Sequence, residues 1–173
     1  MKETLSSAET LAAAEQAALT KTKLGTRKTL VLAALAGAYI AMGGTLSLLV
    51  GYGFAQAAAG NPGLQKLLSG AMFPLGLILV VLAGAELFTG NVLMVCAKAS
   101  KKITFGGLFR NWGIVWVGNL AGSLLAMFII FMSNLQGMNG GAVGEAFVSV
   151  AAGKVSLAPE VLFFKAILCN ILV

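Results

Sequence analysis

The chain has 173 residues, of which 58% are apolar and only 10% charged, whereas a soluble domain carries roughly a quarter charged residues. This deficit excludes an ordinary soluble protein and indicates that lipid is the main solvent. The net charge of +6 does not indicate a nucleic-acid partner, because most basic residues flank long apolar runs, as in the cytoplasmic loops of membrane proteins. They are Lys2, Lys21, Lys23, Arg27 and Lys28, then Lys98, Lys101, Lys102 and Arg110.

The first 26 residues carry helix signals and are not expected to act as a signal peptide. Ser6 and Glu9 have the spacing of a capping box, and three acidic residues stand where a signal peptide would have a basic region and an apolar core. Apolar residues then recur at near-helical spacing, at Leu5, Ala8, Leu11, Ala12 and Leu19. We expect residues 1–26 to form a short amphipathic helix on the cytoplasmic surface, followed by a transmembrane region over 27–173 within one membrane domain, 1–173.

The first apolar run, residues 29–54, contains no charge and is long enough to cross a bilayer, which takes about 20 helical residues. Small residues recur every four positions at Ala33, Gly37, Ala41 and Thr45, a stripe that allows another helix to approach closely. A polar connection is expected over residues 56–65, with its turn at Asn61-Pro62-Gly63.

The second apolar run, residues 67–97, is longer than one straight span requires and contains a carboxylate at Glu86. Glu86 is flanked by residues that form helices poorly: Gly84 lies before it, and Thr89, Gly90 and Asn91 lie after it. Non-helical backbone at membrane depth persists only where protein buries it or a cavity hydrates it. The sequence therefore predicts an all-α, polytopic membrane protein whose second transmembrane helix is broken.

A third span is predicted over residues 105–132, where Arg110 can reach back to the interface and Gly118 and Gly122 mark a close helix contact. Residues 139–153 are too polar to cross and are expected to lie along the outer surface, with one apolar helical face. That face comprises Ala142, Ala146, Phe147, Val150 and Ala151. The last run, from about Leu157 to Val173, is short of a full span, so we expect the chain to end inside a fourth membrane helix.

Enzyme, metal and cofactor chemistry lack their usual residues. The chain has neither His nor Asp, so it offers no Ser-His-Asp arrangement and few ligands for zinc or haem. Cys96 and Cys169 lie far apart in apolar stretches and are expected to pack as inert side chains. We expect no enzymatic activity, no metal and no cofactor.

Polar residues within the apolar runs are the first candidates for function, because ionisable groups at membrane depth are costly and face protein or water. These candidates are Glu86, Thr89, Asn91, Lys154, Lys165 and Asn170. A helix break also exposes backbone N–H groups that attract an anion. Bulky residues lie near the break at Phe73, Leu77, Leu87 and Phe88; by themselves they are more typical of packing than of a pore constriction.

Two segments carry a family resemblance: AELFTGNVLMVCAKAS around the break, and LFFKAILCNILV at the end of the sequence. Both resemble the formate/nitrite transporter family, from about Arg27 onward. The resemblance implies an aquaporin-like protomer of six spans in two inverted repeats, assembled as a homopentamer with one pore in each protomer. The sequence would contain the first repeat and the start of the second, with the family's pore histidine expected beyond Val173.

The resemblance also implies roles for individual residues. Thr89 falls at the pore centre, and Phe73, Leu77, Leu87 and Phe88 fall at apolar constriction positions. Lys154, with Lys165 as the weaker candidate, would attract anions, and Asn170 would lie in the pathway. Independently of the resemblance, the position of Glu86 and Asn91 in the predicted helix break indicates that they brace the loop.

The function implied is a channel or transporter for small monovalent anions in the cell inner membrane, with formate or nitrite as substrate and possible proton coupling. Three alternatives are open at this stage: a hydrosulfide channel of the same family, an aquaporin-like pore for neutral solutes, and a non-transporting membrane scaffold. The second usually has Asn-Pro-Ala caps, and none occurs in this sequence. Glu86 and Thr89 at the helix break count against the scaffold.

Overall fold

The computed structural model describes residues 4–53 and 60–172, and within them the chain is built from helices and turns. Outside this part of the chain lie the sequence predictions that concern Lys2, residues 54–59 and Val173. The helices are α1 (Ser7–Lys23), α2 (Thr26–Gly53), α3 (Pro62–Met72), α4 (Pro74–Leu82), α5 (Phe88–Asn91), α6 (Met94–Ala99), α7 (Phe105–Met132), α8 (Ala142–Val155) and α9 (Pro159–Leu172).

The helices divide into two compact units. The first contains the chain up to Gly37 together with Gly84–Gly122, and the second contains Ala38–Ala83 together with the chain from Ser123 onward. Both α2 and α7 contribute residues to each unit. The prediction of one membrane domain over residues 1–173 remains a prediction.

Helix α1 begins at the predicted capping box. The Ser6 side chain accepts a hydrogen bond from the backbone of Glu9, and the Glu9 carboxylate accepts one from the Ser6 backbone. Of the predicted apolar positions, Leu19 packs against the buried core of the first unit, whereas Leu5 and Leu11 are exposed. The buried positions of the helix are Glu15 and Ala18. This helix therefore docks through a mixed face, on which the Glu15 carboxylate accepts a hydrogen bond from Lys102 in the turn after α6. The location of residues 1–26 on the cytoplasmic surface remains a prediction.

Small residues bring α2 and α7 together in the first unit. A Cβ added to Gly122 would lie 1.8 Å from the Ala34 carbonyl oxygen, and one added to Gly37 would lie 2.0 Å from that of Asn119. Gly118 similarly faces Ala33. The predicted close contacts at Gly37, Gly118 and Gly122 are confirmed, and the contacts leave no room for a larger side chain.

The second span is broken, as predicted. Asn61 caps α3 by accepting a hydrogen bond from the Leu64 backbone, so the polar connection ends before Pro62 rather than at residue 65. After α4 the chain turns through Gly84, whose φ of +59° suits glycine, and α5 starts at Phe88. The break is placed before Thr89, because Thr89, Gly90 and Asn91 belong to the restarted helix.

In the second unit α2 packs closely on α3 and α4. A Cβ on Gly43 would lie 2.7 Å from the backbone nitrogen of Gly76, and the Ser47 and Ser69 hydroxyls each donate to the other residue's carbonyl, at 2.7 and 2.8 Å. A kinked 3₁₀ segment, Leu135–Gly141, leads from α7 into α8. In α8 the buried residues are Val143 and Ala146, so only part of the predicted apolar face is buried.

Three stretches are long and apolar enough to cross a membrane, by length and composition: Thr26–Tyr52, Pro62–Leu82 and Phe105–Met132. A bent pair, Leu135–Val155 with Pro159–Leu172, meets the same test at an angle of 107°. The third predicted span therefore has its predicted bounds. The protein is an all-α, multi-pass membrane protein.

Candidate functional site

The backbone between α4 and α5 is held by hydrogen bonds to two neighbouring helices. The Glu86 N–H donates to the Leu32 carbonyl of α2 at 3.2 Å. Asn119 of α7 donates from Nδ2 to the carbonyls of Ala33 and Glu86, at 2.8 and 2.9 Å, and accepts from the Phe88 N–H at 2.9 Å. One asparagine side chain thus satisfies backbone groups that the interrupted helix leaves without helical partners.

A buried polar cluster lies beside the break. Lys21 of α1 donates to Glu86 Oε1 and to Asn91 Oδ1, both at 2.8 Å. Asn91 Nδ2 donates to Glu86 Oε2 at 2.7 Å and to Asn111 Oδ1 at 2.9 Å. The Glu86 carboxylate is therefore bound at both oxygens, which offsets much of the cost of burying its charge.

Apolar and aromatic residues complete this side of the break. The ring of Phe88 meets that of Trp112 edge-on, with centroids 6.1 Å apart, and the Trp112 Nε1–H donates to the Asn91 carbonyl at 2.9 Å. Leu87 and Phe88 are half-buried, as is Thr89. Within the described residues the Thr89 hydroxyl makes no hydrogen bond, so it retains a donor.

A separate cavity of about 470 Å³ lies in the second unit. Phe73 and Lys154 are among its lining residues, together with Lys66 of α3 and the hydroxyl-bearing Ser47 and Ser69. Carboxylates do not occur among the described residues that line it. Its charge is therefore positive, which suits an anion.

The other predicted site residues of the second unit do not line this cavity. Leu77 lies on α4 and is 40% exposed. Lys165 and Asn170 lie on the exposed helix α9, where the Asn170 amide donates to the Ala166 carbonyl. The structure brings Glu86, Leu87, Phe88, Thr89 and Asn91 together in the first unit and leaves these three residues apart from the cavity.

Four residues that contact the break or the polar cluster beside it were not predicted from the sequence to do so. Lys21 was grouped with the flanking basic residues, yet its ammonium group contacts the buried cluster. Asn111, Asn119 and Trp112 lie in a long apolar helix. An asparagine within such a run is the signal that could have indicated Asn111 and Asn119. Their roles depend on which helix face meets the break, and periodicity alone does not determine this.

The family description "Formate/nitrite transporter" matches residues 8–173. The chain belongs to the formate/nitrite transporter family. The resemblance seen in the two sequence segments is confirmed.

Relatives and a solved structure agree with this family. A probable formate transporter of Methanothermobacter thermautotrophicus is 42% identical, over 97% of this chain and 66% of its own length. The formate channel FocA of Escherichia coli (strain K12) is 43% identical, over 69% of this chain and 41% of its own. A structure described as a pentameric formate channel with formate bound matches with a TM-score of 0.69 at 39% identity, over 77% of this chain and 51% of that one.

The chain thus spans between about two fifths and two thirds of the length of these family members. Members of a family of channels and transporters move solutes. Among the described residues, the polar cluster lies at the break of the second span, and the positive cavity lies in the second unit.

Proposed function

We propose that the full-length protein conducts small monovalent anions, formate or nitrite, across the cell membrane. We further propose that it acts as a homopentamer with a cytoplasmic N-terminus and without chemical conversion of the solute. The observation that carries the proposal is the break between α4 and α5. Backbone taken out of helical bonding inside a long apolar run is costly, yet here a buried network of side chains maintains it.

The physical problem of such a pore is dehydration, because moving a bare anion into an apolar passage is expensive. We propose that Leu87 and Phe88 in the first unit provide apolar surface that excludes water and larger ions. Phe73 and Leu77 are proposed to do the same within the second unit. Thr89 donates a hydrogen bond that replaces part of the lost hydration. Lys154 attracts the anion through its charge, with Lys165 and Asn170 as weaker contributors.

The proposed task of Glu86 and Asn91 is to brace the break, not to bind the anion. Glu86 accepts bonds at both carboxylate oxygens, and Asn91 uses its amide oxygen for Lys21. A carboxylate facing the pathway would repel an anion, whereas one neutralised by Lys21 does not. We therefore assign Lys21 to the brace as well.

Solute flux into liposomes tests the function. Vesicles containing the full-length protein should take up formate and nitrite faster than protein-free vesicles and should exclude glycerol. Uptake of glycerol with no anion flux would favour an aquaporin-like pore, and uptake of hydrosulfide alone would favour that anion. Repeating formate uptake with and without a pH gradient measures proton coupling.

A further inference from the structure

The 470 Å³ cavity of the second unit contains a second basic residue that the family resemblance did not indicate. Lys66 and Lys154 both line it, and both are exposed. Neither makes an ion pair or hydrogen bond with any described residue. Two uncompensated ammonium groups therefore border one cavity.

The position of Lys66 is determined by the packing of α3. Lys66, Ser69 and Phe73 follow at intervals of three and four residues, so they share one helical face, and all three line the cavity. Ser69 is bound to Ser47 of α2 through the reciprocal hydroxyl bonds. A Cβ on Gly51 would lie 2.7 Å from the Ser69 hydroxyl, so a larger residue there would disturb the Ser69 side chain. Lys66 therefore stands one turn from a tightly fitted contact.

Lys154 reaches the same cavity from α8. Phe147, Val150 and Lys154 follow at intervals of three and four residues and all line it, so α8 presents one face with its only basic residue at the end of the helix. The two lysines thus enter from different helices of the same unit.

Three hydroxyl groups that line the cavity are already used as donors. Ser47 and Ser69 donate to carbonyls, and Thr45 donates to the Ala41 carbonyl at 2.9 Å. These three hydroxyl groups are therefore not free to orient an anion, whereas the two ammonium groups attract it through charge. Charge attracts without geometric selection, which gives weak binding and fast exit, as conduction requires.

We propose that Lys66 is a second anion-recruiting residue, which acts with Lys154 to concentrate a small monovalent anion in this cavity. The proposal rests on the proposed anion transport and adds a residue to it. Two lysines raise the local anion concentration above what either achieves alone, and salt screens this effect.

The experiment measures initial formate and nitrite uptake by liposomes containing the full-length protein as wild type, Lys66→Met, Lys66→Arg, Lys154→Ala and Lys66→Met/Lys154→Ala. Lys23→Met is the matched control, because Lys23 is an exposed lysine of α1 outside the cavity. Each protein is measured at about 10 mM and about 1 M of an impermeant salt, where the Debye length falls from about 30 Å to about 3 Å.

Lys66→Met should lower uptake about three- to tenfold at low salt and less than twofold at high salt, as expected of lost electrostatic attraction. Lys66→Arg should retain most of the flux, Lys23→Met should equal wild type, and the double variant should be slower than either single variant. Thermal stability and oligomer size in detergent should not change for Lys66→Met, because Lys66 is exposed.

If wild type takes up the anions and Lys66→Met takes them up equally fast at low salt, the proposed role of Lys66 is overturned. The proposed function would then still stand. A loss of flux that is independent of salt and not restored by Arg would also overturn the role of Lys66, since that is the signature of a packing defect. Absence of anion uptake by wild type would instead refute the proposed function itself.

Discussion

At the scale of single residues, Thr89 has a hydroxyl without a partner among the described residues, one position after Phe88 at the restarted helix. Thr89→Val keeps the shape and removes the donor. Because one hydrogen bond contributes about 0.5–1.5 kcal/mol, we expect formate flux per pentamer to fall about three- to tenfold, with thermal stability unchanged. Liposome uptake and unfolding in detergent are measured on the same preparation.

Thr29 is the matched control for this prediction. It is buried, and its hydroxyl donates to the Gly25 carbonyl within α2 at 3.1 Å. Thr29→Val should lower stability and leave flux unchanged. Normal flux from assembled Thr89→Val would remove the hydroxyl from the mechanism.

The Lys21–Glu86 pair permits a second prediction at this scale. Lys21→Met leaves the buried Glu86 carboxylate without its cation, and we expect a loss of about 2 kcal/mol. This is below the roughly 3–5 kcal/mol of a fully buried pair, because the Lys21 side chain is 25% exposed. The melting temperature in detergent should fall by several degrees.

A double-mutant cycle distinguishes pairing from general damage. Lys21→Met/Glu86→Gln removes both charges and should recover part of the stability lost in Lys21→Met. Lys23→Met, two residues along α1 and exposed, should have no effect. Strictly additive losses would show that the two groups do not depend on one another.

At the scale of secondary-structure elements, the contact between α2 and α7 depends on glycine. Gly122→Ala would place a methyl group 1.8 Å from the Ala34 carbonyl oxygen, so the helices must separate. We expect a loss of about 1–3 kcal/mol, typical of overpacking, and reduced assembly measured by size-exclusion chromatography.

Gly113 lies in the same helix with no atom within 4 Å of an added Cβ. Gly113→Ala should therefore be neutral or stabilising by up to about 1 kcal/mol, because alanine is the better helix former. If both alanine variants behaved alike, close packing at Gly122 would not limit the helix contact.

The docking of α1 should depend on pH through Glu15. Hydrogen bonds from Lys102 and then Ser100 lower the pKa of the Glu15 carboxyl, so the charged form is favoured in the folded protein. Its stabilising contribution is complete above the ordinary pKa of a glutamate and is lost as the pH falls through the lower pKa of the folded protein. Hydrogen exchange of the α1 backbone amides should therefore increase as the pH falls through the folded pKa of Glu15.

The Glu15→Gln variant tests the cause. It should show faster exchange of α1 at neutral pH and a weaker dependence on acid than wild type. An identical acid profile in both proteins would assign the effect to another group.

At the scale of the whole molecule, the arrangement of basic residues predicts topology. The bond between Glu15 and Lys102 places α1 beside the turn after α6, so both belong on one side of the membrane. We expect that side to be cytoplasmic, in keeping with the positive-inside rule. The prediction concerns the full-length protein in intact cells.

Single cysteines at Lys23→Cys and Gly106→Cys, with Cys96 and Cys169 replaced by serine, provide the measurement. A membrane-impermeant maleimide should label both positions only after the cells are opened. A cysteine at Gly140→Cys, beyond the third span, should react in intact cells. Labelling of Lys23→Cys in intact cells would reverse the topology.

The sequence by itself determined the elements that depend on composition and local chemistry. The bounds of α7, the capping box at Ser6 and the broken second span follow from apolar length, from spacing and from poor helix formers, all of which are local properties. The family also followed from two short segments. None of these conclusions required knowledge of which residues meet in space.

The tertiary structure decided which faces are buried and which polar groups meet. The sequence did not indicate that α1 docks through Glu15 and Ala18, because Leu5 and Leu11 also fit the helical period, although both are exposed. Lys21 bonds to residues 65 and 70 positions away, and Asn119 reaches back to Glu86. Burial of a charge is favourable only when its partner is in place, and that partner is determined by long-range packing rather than by local sequence.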